Sequence, residues 1–204
     1  MIKNIIFDFD GVIVDSTKAK NEALVSLFES YGKKACQEFY NYSIQNGGVP
    51  RFNKIRYFFE NIVKEDVSED KINSYAKVYS KITKDLISKD MLIDEVIEFI
   101  KNNFTKYNFH IASGTYIKDL EFLVNKLEIK RYFKSIEGSP ELKPNLIKKI
   151  LKKFNYKNNQ TALIGDSIKD YEAALANNIL FFGYNNLKLK ELGNYIDSFK
   201  EIKF

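Results

Sequence analysis

Short, dense apolar runs alternate along the chain with longer stretches in which apolar positions recur three and four residues apart. Residues 2–9 are rich in Ile and Phe and few in number, as expected of a strand buried on both faces. Residues 109–112, 161–164 and 179–182 have the same character. Between them, residues 96–103, 116–126, 145–154 and 168–177 carry helical periodicity. Strands alternating with helices predict an α/β architecture, a parallel sheet covered on both faces.

Residues 15–89 interrupt this alternation. Ala23, Leu24, Leu27, Phe28 and Tyr31 recur at helical spacing, as do Ile72, Tyr75, Tyr79, Ile82 and Leu86, and no buried strand separates the two sets. Gly47, Gly48 and Pro50 mark residues 45–51 as a loop between helices. The expected organisation is a core of residues 1–14 and 90–204, with a helical unit of residues 15–89 inserted after the first strand. A chain of 204 residues with 45% hydrophobic content can bury one substantial core and a small accessory module. The aromatic residues Phe58, Phe59, Tyr75 and Tyr79 fall at helical spacing and read as packing inside that unit.

Composition narrows the functional classes. The net charge of +5 comes from scattered lysines such as Lys148, Lys149, Lys152 and Lys153 rather than from one basic block. No basic stripe with interleaved aromatics is present, so a nucleic-acid partner is not expected. No apolar run approaches the ~18 residues of a membrane span, and Met1 leads straight into a strand-like segment, so a cytoplasmic protein without a membrane partner is expected. The single cysteine, Cys36, excludes an internal disulfide framework and reads as a small buried hydrophobe. His110, the only histidine, lies within a predicted strand and reads as a core residue.

Candidate chemistry gathers where the predicted strands end, and the carboxyl ends of strands are where open parallel sheets bind ligands. Asp8-Phe9-Asp10-Gly11 places two carboxylates two residues apart. Strand alternation would put them on one side, where they repel unless a cation or a shared proton relieves them. Ser113-Gly114-Thr115 is expected to sit at a helix start, where hydroxyls and free backbone N–H groups form a phosphate cradle. Lys143, before Pro144, offers a positive charge. Gly165-Asp166-Ser167, with Asp170, adds a hard oxygen ligand suited to Mg²⁺.

These four ordered motifs, Asp-Phe-Asp-Gly-Val-Ile-Val-Asp-Ser at 8–16, Ser113-Gly114-Thr115, Lys143-Pro144 and Gly165-Asp166-Ser167-Ile168-Lys169-Asp170, resemble those of the haloacid dehalogenase superfamily, especially its phosphoglycolate phosphatase-like branch. The resemblance implies a Rossmann-like core with a helical cap and a phosphatase that uses Mg²⁺ on a small phosphorylated metabolite. It makes Asp8 the nucleophile, Asp10 the general acid and base, and Ser113, with Gly114 and Thr115 beside it, the phosphoryl-binding segment. Lys143 would neutralise charge on Asp8. Asp8, Asp166 and the Asp10 backbone carbonyl would hold the metal, and Asp170 would orient Lys143 or the metal waters. Asn145 replaces the second proline common after Lys-Pro in relatives, and Asn177-Asn178 replaces their Ala-Gly, where asparagine still permits a left-handed helix stop. The presence of Asp10 argues against a dehalogenase, whose leaving halide needs no proton.

In the cap, Arg51 is expected either to reach the leaving group or to be a solvated residue at a helix start. The cap lysines Lys18, Lys20, Lys33, Lys34 and Lys54 are indistinguishable by sequence. A phosphosugar mutase and a catalytically inactive binding protein are the alternative functions, and a monomer or homodimer is expected.

Overall fold

The computed structural model describes residues 1–200 together with Ile202 and Phe204. Its six strands are β1 (Asn4–Phe7), β2 (Asn108–Tyr116), β3 (Ser135–Ser139), β4 (Thr161–Gly165), β5 (Leu180–Tyr184) and β6 (Asn194–Ile196). They form one parallel sheet in the order β3-β2-β1-β4-β5-β6. β1 is central, with Ile5 in register with Phe109 on one side and Ala162 on the other. From β1 the chain builds outward to β3, then returns to β4 and builds the opposite way. That reversal opens a crevice at the carboxyl ends of β1 and β4.

Helices cover both faces, so each inner strand is apolar throughout. Ile5 and Phe7 face one core, which α5 (Asp94–Asn103) and α6 (Ile117–Lys126) close with Val96, Ile100, Leu120 and Leu123. Ile6 faces the other, filled by Leu146 and Ile147 of α7 (Lys143–Phe154) and Ala173 of α8 (Ile168–Ala176). His110 is fully buried as expected, held between Ser135 and Tyr156 through its two ring nitrogens. Burial, with Lys134 and Lys153 nearby, depresses its pKa to about 4, so the ring is neutral. α8 stops where asparagine was expected to allow it, with Asn178 at φ 50°.

Four α-helices, α1 (Thr17–Ser26), α2 (Lys33–Gln45), α3 (Arg51–Tyr57) and α4 (Glu69–Leu86), lie between β1 and α5. They bury their own apolar cluster, which includes Leu24, Phe28, Phe39, Ile55, Phe58, Phe59, Ile72 and Tyr79. Phe28 lies at its centre, stacked on Tyr75 at 4.9 Å and edge-on to Phe39 at 5.2 Å. Truncating such a residue to alanine costs roughly 3–5 kcal/mol. Cys36 is only partly buried against this cluster, and its thiol donates to the Phe28 carbonyl at 3.3 Å. Residues 46–50 form the expected loop between α2 and α3. Among the described residues, no helix is long and apolar enough to cross a membrane.

Candidate active site

The site is built where β1 and β4 run out. The Asp8 N–H still donates to the Ile164 carbonyl at 2.9 Å, so the strand pairing holds the Asp8 backbone although β1 ends one residue earlier. Asp8 is 4% exposed and also accepts from the Phe9 N–H at 2.7 Å. The chain then turns sharply, with Gly11 at φ 79° and its N–H donating to Val14 at 2.7 Å. A Cβ at Gly11 would lie 2.0 Å from an Asp166 carboxylate oxygen, so only glycine lets this turn approach the β4 end.

The two carboxylates of the first motif do not face the same way, contrary to the expectation from strand alternation. Period-two alternation holds only within a strand, and Asp10 sits in the turn beyond it. Asp8 points toward Lys143, Asp166 and Asp170. Asp10 points toward the inserted helices. It accepts from Lys20 Nζ, 2.6 Å from Oδ1 and 2.8 Å from Oδ2, from Thr115 Oγ1 at 2.7 Å, and from Ser16.

Lys143 opens α7 with Pro144 behind it, and far from being a surface residue it is 5% exposed. Its Nζ lies 2.9 Å from Asp8 Oδ1 and pairs with Asp170 Oδ1. Burial opposes the ammonium charge, but Asp170 and Asp8 outweigh burial and hold its pKa above the ordinary lysine value. The other Asp170 oxygen accepts from the Ser167 N–H at 3.1 Å and Ser167 Oγ at 2.6 Å, closing a capping box at the start of α8. Asp170 therefore fixes Lys143 and anchors a helix at once.

Carboxylate oxygens of Asp8, Asp166 and Asp170 lie within 4.8 Å of one another. Burial and the mutual repulsion of these groups push the pKa values of Asp8 and Asp166 above the usual carboxylate range, although Lys143 pulls both down. Such crowding is relieved by a divalent cation, and an all-oxygen donor set fits Mg²⁺. Both Asp170 oxygens are engaged, which leaves Asp8 and Asp166 as the free side-chain donors. For Asp10 the balance is the reverse: burial raises its pKa, but Lys20, then Ser16 and Thr115, bring it below the usual carboxylate value.

Ser113-Gly114-Thr115 is not at a helix start. β2 continues to Tyr116 with an irregular register between Ser113 and Tyr116, and α6 begins only at Ile117. The Thr115 N–H donates to Ser113 Oγ at 3.1 Å within this bulge. The strand bulge, rather than a helix terminus, aims the three residues into the crevice. A Cβ at Gly114 would meet the Gly48 carbonyl oxygen at 2.4 Å, so the loop between α2 and α3 rests directly on this segment.

Asp8, Asp10, Ser113, Gly114, Thr115 and Asp166 line one pocket of about 90 Å³, and Lys20, Asn21, Arg51, Lys54 and Tyr79 close it from the inserted helices. Lys143 and Asp170 stand behind Asp8. Arg51 is at a helix start but is not solvated: it is 6% exposed, 2.6 Å from Asp119 of α6, bonded to Ser80 at 2.7 Å and placed over the Tyr79 ring. Lys84 also reaches Asp119, at 2.7 Å, so one core carboxylate takes two cations from the inserted unit. Tyr79 belongs to both the helical cluster and the pocket wall.

Sequence reasoning did not separate Lys20 and Lys54 from the other lysines, and it missed Thr17, Asn21, Asn185 and Asn186. A signal for the first group exists: Thr17, Lys20, Asn21 and Leu24 recur at helical spacing, a mostly polar stripe on the inward face of α1. Asn185 and Asn186 carry no comparable pattern. Their amides brace the Gly11 and Asp166 carbonyls at 3.1 and 2.8 Å.

Comparison with known proteins identifies the fold and the family. A curated phosphorylated carbohydrates phosphatase from Thermotoga maritima is 23% identical over 175 residues, 83% of this chain and 79% of that protein. The fold matches β-phosphoglucomutase from Clostridium difficile with a TM-score of 0.81 at 20% identity, over 100% of this chain and 94% of that one. It also matches CbbY from Rhodobacter sphaeroides, solved with phosphate, with a TM-score of 0.76 at 17% identity, over 98% and 96% of the two chains. The sequence model of the haloacid dehalogenase-like hydrolases matches residues 5–184, from β1 through β5 and every motif of the crevice, and the chain belongs to that family.

Proposed function

We propose that the protein is a Mg²⁺-dependent phosphatase that hydrolyses a small phosphomonoester through an aspartyl-phosphate on Asp8. The observation that carries this is the division of labour between the two carboxylates. Asp8 sits against Lys143 and Asp166 at the floor of the pocket, while Asp10 is turned toward the space a leaving group would occupy. In the first step an Asp8 oxygen attacks phosphorus, the ester P–O bond breaks, and Asp10 gives its proton to the departing alkoxide. In the second step a water attacks the same phosphorus, Asp10 takes its proton, and phosphate leaves a regenerated Asp8. The Lys20 contact favours the carboxylate form of Asp10 that the second step uses and works against the protonated form that the first step draws on. Ser113 and the backbone of Gly114 and Thr115 would hold the phosphoryl oxygens, and Lys143 would offset the charge that gathers on them. Mg²⁺ between Asp8, Asp166 and the Asp10 carbonyl would supply charge neutralisation of the transferring group. Residues 15–89 act as a cap that closes the pocket over residues 1–14 and 90–204, with Arg51 in its wall.

The test is inorganic phosphate release by the purified protein from a panel of small sugar, polyol, amino-alcohol and carboxylate phosphates, with Mg²⁺ and then with a chelator. Metal-dependent release is expected, and Asp8→Asn should lower kcat by at least about a thousandfold with the fold intact. Substantial turnover by that variant would remove Asp8 as nucleophile. Conversion of a sugar monophosphate to its isomer without phosphate release would identify a mutase instead.

A further inference from the structure

Two consecutive amides just past the end of β5 tie together the two turns that carry the oxygen donors of the site. Asn185 Nδ2 donates to the Gly11 carbonyl at 3.1 Å, and Asn186 Nδ2 donates to the Asp166 carbonyl at 2.8 Å. In an extended strand neighbouring side chains point to opposite faces, so adjacent residues there would aim apart. β5 ends at Tyr184, and Asn185 takes the left-handed conformation at φ 55°, which breaks the alternation. Asparagine is one of the few residues that enter this region readily, and glycine, which enters it more easily still, has no amide to give. Asn186 is aimed by a second bond. Its Oδ1 accepts from the Lys188 N–H at 3.3 Å, capping the short 3₁₀ helix Leu187–Leu192, so its nitrogen is left to face Asp166.

The tethered groups are under opposing forces. Carboxylate oxygens of Asp8, Asp166 and Asp170 lie within 4.8 Å of one another, and like charges at that range repel. Gly11 nevertheless sits so close to the Asp166 carboxylate that a Cβ there would clash with it. The strand ladder stops short of this contact, because β4 ends at Gly165, in register with Gly183, one residue before Asp166. An anchored carbonyl fixes the Cα beside it and so the direction of the side chain. The Asn186 bond therefore sets where the Asp166 carboxylate points, and the Asn185 bond does the same for the turn that starts with Asp8 and Asp10. Since the two donors are neighbours in the chain, the turns cannot drift apart without breaking one of the bonds.

We propose that Asn185 and Asn186 are positioning residues that hold Asp166 and the turn from Asp8 to Gly11 at the spacing a divalent cation requires. The role rests on the metal-dependent reading of the site, and metal binding measured apart from turnover separates the two. Asn185→Gly keeps the left-handed backbone and removes the amide. Asn186→Ser keeps a cap for the Lys188 N–H but is too short to reach the Asp166 carbonyl. Mn²⁺ binding to the metal-free protein is read from the loss of the free-ion electron paramagnetic resonance signal, and Mg²⁺ binding from its competition. Thermal unfolding without metal checks that each variant is folded, and Asn185→Ser and Asn186→Thr serve if the first pair do not fold. Each substitution should raise the Kd for both ions about tenfold or more, as expected when a group that orients a metal ligand is lost. Wild-type affinity in either variant, whatever its melting temperature, overturns the paired role. Wild-type protein that binds neither ion would remove the metal reading and the positioning role with it. If affinity falls as expected while the wild-type protein releases phosphate from no ester, the hydrolytic reading falls and the tethers stand.

Discussion

At the scale of single residues, the fold uses buried charge in two distinct ways. Lys143 is caught between Asp8 and Asp170, so its charge is held firmly and aimed at Asp8. His110 is held in the neutral form in the sheet with uncharged partners, Ser135 and Tyr156. The second arrangement has a pH signature. The His110 pKa is about 4 in the fold against 6.5 ordinarily, so the unfolded chain takes up a proton that the folded one refuses. Its contribution to stability is intact above pH 6.5 and is lost as pH falls toward 4, amounting to on the order of 3 kcal/mol. Thermal unfolding of wild type and His110→Gln between pH 7 and 4 should therefore converge as pH falls. Parallel curves would show that the imidazole titrates alike in both states.

Residues also show where sequence is informative and where it is not. Asp8, Lys143 and Asp166 were legible because each follows an apolar strand or opens an amphipathic helix, so their place in the crevice follows from topology. The direction of the Asp10 side chain was not, because it is set by a turn beyond the strand. The place of Arg51, in the pocket or on the surface, stayed open because its partner, Asp119, lies 68 positions later in the sequence.

At the scale of elements, the inner strands announce themselves and the edge strands do not. β1 and β4 read as apolar because helices cover both their faces. β3, with the sequence Ser-Ile-Glu-Gly-Ser, and the three-residue β6 lie at the two ends of the sheet and carry no strand pattern. Edge strands need fewer apolar residues and are often polar, so periodicity passes over them. The irregular end of β2 escaped notice for a related reason: small residues ahead of a helix look like a cap, and a bulge leaves no periodic trace. That bulge makes a testable demand. Gly114 meets the Gly48 carbonyl so closely that Gly114→Ala must push the loop between α2 and α3 outward. The variant should remain folded, with an unchanged circular dichroism spectrum, but lose about tenfold or more in kcat/KM because the pocket no longer closes. Wild-type kinetics in Gly114→Ala would mean that the loop contact is incidental to catalysis.

At the scale of the whole molecule, two apolar bodies share one crevice. The inserted helices have a cluster of their own around Phe28, and the sheet has one on each face. Between the two bodies the polar contacts concentrate in a few places, chiefly Arg51 and Lys84 on Asp119 and Lys20 on Asp10. The run of helices between β1 and β2 was visible in sequence as a break in strand–helix alternation. Its seating on the core was not, because the Arg51 and Lys84 pairings with Asp119 join positions far apart in the chain.

The central position of β1 has a consequence for local opening. β1 has a hydrogen-bonded neighbour on each side, and Ile5, Ile6 and Phe7 are completely buried. Amides there can meet solvent deuterons only when the sheet itself comes apart, so their exchange should report the global unfolding free energy. Amides of α2 and α3 can exchange through detachment of the inserted unit alone and should do so sooner. The strand that leads to Asp8 would then be the last part of the chain to take up deuterium, while the pocket wall that α3 supplies opens on a faster clock. Uniform protection across both regions would instead make the molecule a single cooperative unit. In the two-clock case, a ligand could come and go through sub-global openings of these helices while Asp8, Lys143 and Asp166 remain in register.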